Sequence, residues 1–177
     1  MKFDKSIVQT SVPSPLGRIT LAASAQGLAG LWFGQGQRHL PPELGGPAAS
    51  QPWRHDAEHP VLQQASGQLT EYFAGQRRQF DLPLDLSSGT AFQQAVWQAL
   101  RTIPQGRTVS YSAIGQQIGK PGAVRAVGAA IGRNPVSIVV PCHQVIGAGG
   151  ALTGYAGGLE RKTALLQLEG VLQKKPV

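Results

Sequence analysis

The feature that most limits what this chain can fold into is a change of hydrophobic period at Ser87-Ser88-Gly89. Before that point apolar residues mostly alternate. SIVQTSV and GRITLAAS are β-branched runs that read as strands, and GLAGLWF is a third short run. Pro13-Ser14-Pro15-Leu16-Gly17 supplies turn chemistry between the first two. GQGQRHLPPELGGPAASQP is rich in Gly and Pro and is expected to be an exposed, mobile loop. HPVLQQASGQLTEYFAGQ has helical spacing at Val61, Leu62, Ala65, Leu69, Tyr72 and Phe73, with Gly75 as its stop. RRQFDLPLDL is a further strand candidate. Residues 1–88 are thus predicted to be a small α+β domain.

After that point the spacing turns helical. Phe92, Val96, Ala99, Leu100 and Ile103 make one apolar stripe that Thr90 can cap. TVSYSAIGQQIG carries Tyr111, Ile114 and Ile118 on one face, with Ser110 as N-cap, and GAVRAVGAAIG is the next helix. The short turn Gly119-Lys120-Pro121-Gly122 between them fits a helix-turn-helix, so residues 89–177 read as a mostly helical domain. The expected fold class is α+β, with the two parts meeting near residue 88. No internal repeat is visible.

Charge divides at the same place. Residues 1–88 hold seven Lys/Arg and seven Asp/Glu, while residues 89–177 hold nine and two. The whole net charge of +7 therefore sits in the helical half, which suits contact with a polyanion as well as a solvated basic surface. No apolar run reaches the ~20 residues of a membrane span. MKFDKSIVQT lacks the apolar segment of a signal peptide, so a cytoplasmic protein is expected. The single cysteine excludes an internal disulfide and any multi-cysteine zinc site.

The GAVRAVGAAIG helix can be read by faces. Ala123, Val127, Ala130 and Ile131 form its apolar stripe, and Arg125 lies roughly 200° from Val127 at 100° per residue. Its neighbours three, four and seven positions away are Gly122, Gly128, Ala129 and Gly132. A face so bare admits another surface closely, with Arg125 its only projection. Against DNA this suits the minor groove and one inserted side chain. It suits major-groove base reading poorly, because that needs several polar side chains. Tight packing on another helix, with Arg125 reaching out to water, fits the same residues.

The lone thiol lies in Val140-Pro141-Cys142-His143-Gln144-Val145-Ile146. A thiol attacks as thiolate, so a base or cation must activate it. In an extended segment His143 would point away from Cys142, and a bridging water would then be needed. Glu169 lies three and four positions after Leu166 and Leu165, at the edge of the stripe formed by Leu159, Leu165, Leu166 and Leu168. A Cys142–water–His143–Glu169 relay is one reading. An inert buried thiol and an ordinary helix-end carboxylate is the other. His55 and His59 have metal-ligand spacing but sit between Pro52 and Pro60, and they read as a polar loop without metal.

Pro141-Cys142-His143 followed by Val145-Ile146-Gly147 resembles the O6-alkylguanine-DNA alkyltransferases. FQQAVWQALRTIPQGRTVSYSAIG, RAVGAAIGRNPVSIVVPCH and GYAGGLERKTALLQLEG resemble that family's catalytic domain in the same order, over roughly residues 90–171. Residues 1–88 resemble its ribonuclease-H-like N-terminal domain in length and strand pattern only. The resemblance implies single-turnover transfer of an alkyl group from guanine O6, and potentially thymine O4, to Cys142, on a nucleotide flipped out of duplex DNA. It implies that Arg125 fills the vacated stack, that Tyr111 protonates the base and presses on a phosphate, and that Asn134 is a hinge. His143 and Glu169 match the relay, Lys162 a lysine near the active-site loop, and Val145, Tyr155, Ala156, Gly157 and Gly158 the wall around the base. Gly122, Ala123, Ala126 and Ala129 would join Arg125 and Tyr111 at the DNA. No cofactor and no metal are implied, and the protein is expected to act as a monomer.

Gln144 stands where the family usually has arginine, and loss of that cation is expected to weaken electrostatic support of the site. Ala156 stands where some members have serine. Relatives that bind without repairing carry tryptophan in place of the cysteine, which this chain keeps. Two other functions fit part of the sequence. A helix-turn-helix regulator leaves Cys142 unexplained, and a cysteine hydrolase leaves the basic half and the bare helix unexplained.

Overall fold

The structure, a computed structural model, describes residues 1–44 and 52–173. The three runs form strands β1 (Val8–Val12), β2 (Ile19–Ser24) and β3 (Gly27–Phe33). They make an antiparallel meander, and the short strand β4 (Arg54–His55) adds parallel to β1, giving the order β3-β2-β1-β4. The segment read as a polar loop thus includes a strand. β4 escaped notice because it is only two residues long and polar.

Helix α1 (Pro60–Phe73) begins at a proline whose missing N–H would have had no helical partner anyway. Its Leu62, Ala65, Leu69 and Tyr72 are buried and share a core with Ile19, Leu21 and Leu31 of the sheet. The other sheet face is covered by Trp32 and Trp53, with Phe3 edge-on to both at 5.8 and 5.2 Å. Burial on both faces explains why all seven β3 residues are shielded. Gly30 is required there, because the Trp32 ring occupies the space a Cβ would need.

RRQFDLPLDL is not a ladder strand. Only Leu84 bridges to Leu28, through Leu28 N–H to Pro83 O at 2.8 Å and Asp85 N–H to Leu28 O at 2.9 Å. Pro83 has no N–H to continue a ladder. Upstream, the Gln68 side chain from α1 serves both the N–H and the C=O of Asp81, each at 2.8 Å. Side-chain bonds thus replace the ladder the sequence suggested. Of the loop predicted after β3, residues 45–51 lie outside the described residues. Within the rest, Leu40 and Leu44 pack on the tryptophan cluster, and Arg38 N–H bonds to Ala156 O at 2.8 Å.

The second half contains α2 (Ala91–Leu100), β5 (Val109–Ser110), α3 (Tyr111–Gln117), α4 (Val124–Gly132), β6 (Val145–Ile146) and α5 (Leu159–Leu168). Thr90 and Gln93 close a capping box on α2, and Ser110 Oγ caps α3 through Ala113 N–H. Helices α2, α3 and α4 pack together, with Trp97 Nε1 donating to Ala130 O at 2.8 Å. In α5 the buried stripe is Lys162, Leu165 and Leu166, while Leu159 is exposed, contrary to its predicted place. Among the described residues no helix is long and apolar enough to cross a membrane.

Candidate active site

Residues 133–144 connect α4 to β6 and are anchored at both ends. Leu31 N–H bonds to Pro135 O at 2.8 Å and Ser137 N–H to Leu31 O at 3.2 Å, so the edge strand β3 holds the start. Val145 and Ile146 pair in parallel with Val109 and Ser110 at the end. Between these anchors buried Ile138 sits at φ 70°. A β-branched residue enters that region only when its surroundings impose it. Cys142–Gln144 form a 3₁₀ turn rather than the extended segment expected, which turns His143 into the protein interior.

The thiol is held by Asn134. Its Nδ2 donates to Cys142 Sγ at 3.1 Å and to Val140 O at 2.8 Å, while its Oδ1 accepts from Val136 N–H at 3.0 Å. One amide thereby sets both the path of the segment and the position of the sulfur. Burial pushes the Cys142 thiol up to about 11, against the opposing effects of the Asn134 bond and the Lys162 charge. At neutral pH the sulfur therefore keeps its proton and must lose it during any reaction.

His143 is fully buried, and its Nε2 lies 2.7 Å from Glu169 Oε1. Its Nδ1 is buried and makes no hydrogen bond to the protein. Burial would raise the Glu169 carboxyl. The His143 bond and charge and the Tyr72 bond outweigh that and hold it below the usual carboxylate value. Tyr72 Oη donates to the same Oε1 at 2.7 Å. The sequence had placed Tyr72 on the apolar face of α1, and only its ring behaves that way.

Cys142 opens on a cavity of about 280 Å³ lined by Tyr111, Gly128, Ala129, Gly132, Tyr155 and Ala156, with Arg38, His39 and Arg133 at its basic side. Tyr111 starts α3, and its hydroxyl meets Thr153, accepting from Thr153 Oγ1 at 3.3 Å. On α4, Val127, Ala130 and Ile131 are buried while Arg125, Ala126 and Ala129 are exposed. Gly122 is exposed and Ala123 half-buried at the helix start. The bare face of α4 and the thiol thus border one opening.

The chain matches the family described as 6-O-methylguanine DNA methyltransferase, ribonuclease-like domain, over residues 7–86. It matches 6-O-methylguanine DNA methyltransferase, DNA binding domain, over residues 91–171. A methylated-DNA–protein-cysteine methyltransferase of Mycobacterium tuberculosis is 47% identical over 164 residues, 90% of each chain. This chain belongs to the methylated-DNA–protein-cysteine methyltransferase family. A further relative of that name, from Methanosarcina acetivorans, is 46% identical over 157 residues, covering 89% of this chain and 94% of that one. The solved Mycobacterium tuberculosis OGT in complex with DNA has the same fold, with a TM-score of 0.78 and 47% identity over 92% of each chain.

Several residues that the family resemblance pointed to lie behind the cavity rather than on it. Val145 is fully buried, and its carbonyl accepts from Lys162 Nζ at 2.6 Å. Gly157 is wedged so that a Cβ would stand 2.8 Å from the Tyr155 ring and 2.9 Å from that of Phe33. Gly158 takes φ 91° as the N-cap of α5. These residues set the shape of the wall that Tyr155 and Ala156 present. Gln144 is buried and donates to Pro104 O at 2.9 Å, a structural bond that ties its turn to the loop after α2. Among the described residues no cluster of His, Cys, Asp or Glu could hold a metal.

Lys162 is fully buried, and its ammonium donates to Val145 O, Thr153 O and Gly154 O at 2.6, 2.8 and 3.2 Å. Burial lowers its pKa to about 8, with the charge on Cys142 acting the other way. The three carbonyls belong to the two strands of chain that flank the thiol. Lys162→Met leaves all three without their donor and is expected to cost about 3 kcal/mol. Thermal unfolding should show this as a Tm lower by roughly 6–12 °C. An unchanged Tm would show that the ammonium does not brace the loop.

Arg38 and His39 were not picked out as site residues. Their loop reads as featureless, and nothing local says that it folds back onto Ala156.

Proposed function

We propose that Cys142 takes an alkyl group from guanine O6 in duplex DNA and keeps it. Transfer of an alkyl group from damaged DNA to a cysteine of the protein is the activity of the family, and DNA is the partner. The observation that carries the reading is the position of Cys142 Sγ. It lies on a cavity bordered by Gly128, Ala129 and Gly132 of α4, the helix that also carries the exposed Arg125.

The step balances as an in-line displacement. The sulfur forms a bond to the alkyl carbon as the carbon–O6 bond breaks, and the electron pair goes to the base. Tyr111, on the cavity wall, returns a proton to that base. The thiol proton passes to His143 through a bridging water, which suits a buried Nδ1 with no protein partner, and Glu169 stabilises the resulting imidazolium. A flipped nucleotide enters the cavity while Arg125 takes its place in the stack. The thioether product has no internal route to cleavage, so each molecule acts once, without a cofactor. We further read the protein as a cytoplasmic monomer that acts on O6-alkylguanine and, as a second substrate, O4-alkylthymine. A lone thiol supports the reducing compartment.

The exposed residues of α4 include Val124, Ala126 and Ala129, which offer no hydrogen bonds to base edges, so a sequence-reading regulator is the weaker alternative. To test the reading, the protein is mixed with duplex DNA carrying O6-methylguanine, and the Cys142 peptide is weighed by mass spectrometry. One added methyl per molecule is expected, in proportion to lesions lost. An unmodified peptide beside intact lesions would falsify it, and repeated turnover on an ester or amide would favour a hydrolase.

A further inference from the structure

The relay as read from the sequence ends at Glu169, but the buried network does not. Glu169 Oε1 accepts from His143 Nε2 and from Tyr72 Oη, both at 2.7 Å. Tyr72 lies in α1 of the ribonuclease-like domain, 97 residues away in sequence, and is 2% exposed. Its ring is fixed by Phe73 and Phe80, with centroids at 5.4 and 5.3 Å. The hydroxyl therefore reaches the carboxylate from a rigid support that belongs to the other domain.

We propose that Tyr72 is a positioning residue of the transfer reaction, through which the N-terminal domain holds Glu169 in register with His143. This rests on the repair reading above. A carboxylate with one donor can rotate about its terminal bond. With two donors on one oxygen it presents that oxygen to His143 in a single orientation. When His143 gains the thiol proton, its Nε2–H must already face a negative oxygen, because a buried cation without its partner is costly. The phenol also withdraws charge from the carboxylate and helps to hold it below the usual value. The groups that bear on this network are Glu169, His143, Tyr155 and the backbone N–H of Gly106, with Arg78 and Arg101 lining the same cleft and the rings of Phe73 and Phe80 packed around Tyr72. The placement also gives the neutral half of the chain a part in the chemistry that its sequence does not announce.

The test uses the full chain in single-turnover methyl transfer from duplex DNA. Tyr72→Phe keeps the ring and removes only the hydroxyl. The limiting rate at saturating DNA is expected to fall roughly 10-fold, with DNA affinity unchanged. In a Glu169→Gln background the same change should have no further effect on rate. Leu62→Val, which loosens the packing of the same helix ten residues before Tyr72, should lower Tm and leave the limiting rate in place.

A Tyr72→Phe protein with the wild-type limiting rate overturns the proposal, as does an equal loss in the Glu169→Gln background. Should Tyr72→Phe fail to fold, 3-fluorotyrosine at position 72 is near-isosteric and reports directly. Its fluorine resonance is expected to shift on Glu169→Gln, and an unmoved resonance overturns the contact. Failure of the unaltered protein to gain a methyl sinks the repair reading instead, and the fluorine measurement then still decides whether Tyr72 holds Glu169.

Discussion

Cys142→Ser is expected to remove alkyl transfer altogether, with a loss on the order of 10⁴–10⁶-fold in the single-turnover rate. The oxygen of serine would take the place of a sulfur that Asn134 Nδ2 already meets at 3.1 Å, so the fold and the cavity should survive. What fails is the nucleophile. A hydroxyl gives up its proton far less readily than a thiol, and its oxygen is less polarisable toward carbon. The His143–Glu169 pair cannot make up that difference. The fold's survival is checked by an unchanged Tm and by unchanged binding to lesion-bearing DNA. The chemistry is checked by mass spectrometry of the residue 142 peptide and by lesion counts. Lesion removal at the wild-type rate by the serine protein would end the assignment of Cys142 as acceptor.

Arg125→Ala should give the second largest effect, and only on duplex DNA. Arg125 is exposed on a face whose neighbours are Gly122, Gly128, Ala129 and Gly132, so alanine disturbs no packing. Turning a nucleotide out of the stack costs a few kcal/mol, which an inserted side chain offsets. Losing about 2–3 kcal/mol of that support slows duplex repair about 10²-fold. The reaction with a free O6-substituted guanine base needs no flipping and should stay within about twofold. Both rates are measured by methyl or benzyl incorporation at Cys142. Equal losses on base and duplex would mean that Arg125 shapes the protein and does not act on the stack. Binding to duplex should also weaken steeply with salt, since the +7 charge is confined to the half that carries this face.

Local pattern was enough for most elements. β1, β2, β3, α1 and α2 appear where alternation, helical spacing and caps put them, because those signals are set by residues a few positions apart. The bare face around Arg125 was legible for the same reason, since a helix fixes which side chains are neighbours. Residue chemistry offered a Cys142–water–His143–Glu169 relay as one reading, the family resemblance matched it, and the structure brings His143 and Glu169 to 2.7 Å. Where the local pattern misled, a partner elsewhere in the chain or a proline within the run was in control. RRQFDLPLDL lost its ladder to Gln68 and to Pro83, and Leu159 gave its buried place on α5 to Lys162, whose charge is held by three backbone carbonyls.

The amino-acid order by itself determined a strand-rich neutral half, a helical basic half, and one thiol beside a histidine. Only the tertiary structure decided that β3 clamps the active-site segment through Leu31, that Arg38 and His39 border the cavity, and that Tyr72 shares an oxygen of Glu169 with His143. The physical reason is that periodicity and capping depend on near neighbours. A buried polar group needs a partner wherever the folded chain can supply one, and here that partner lies in the other half of the molecule.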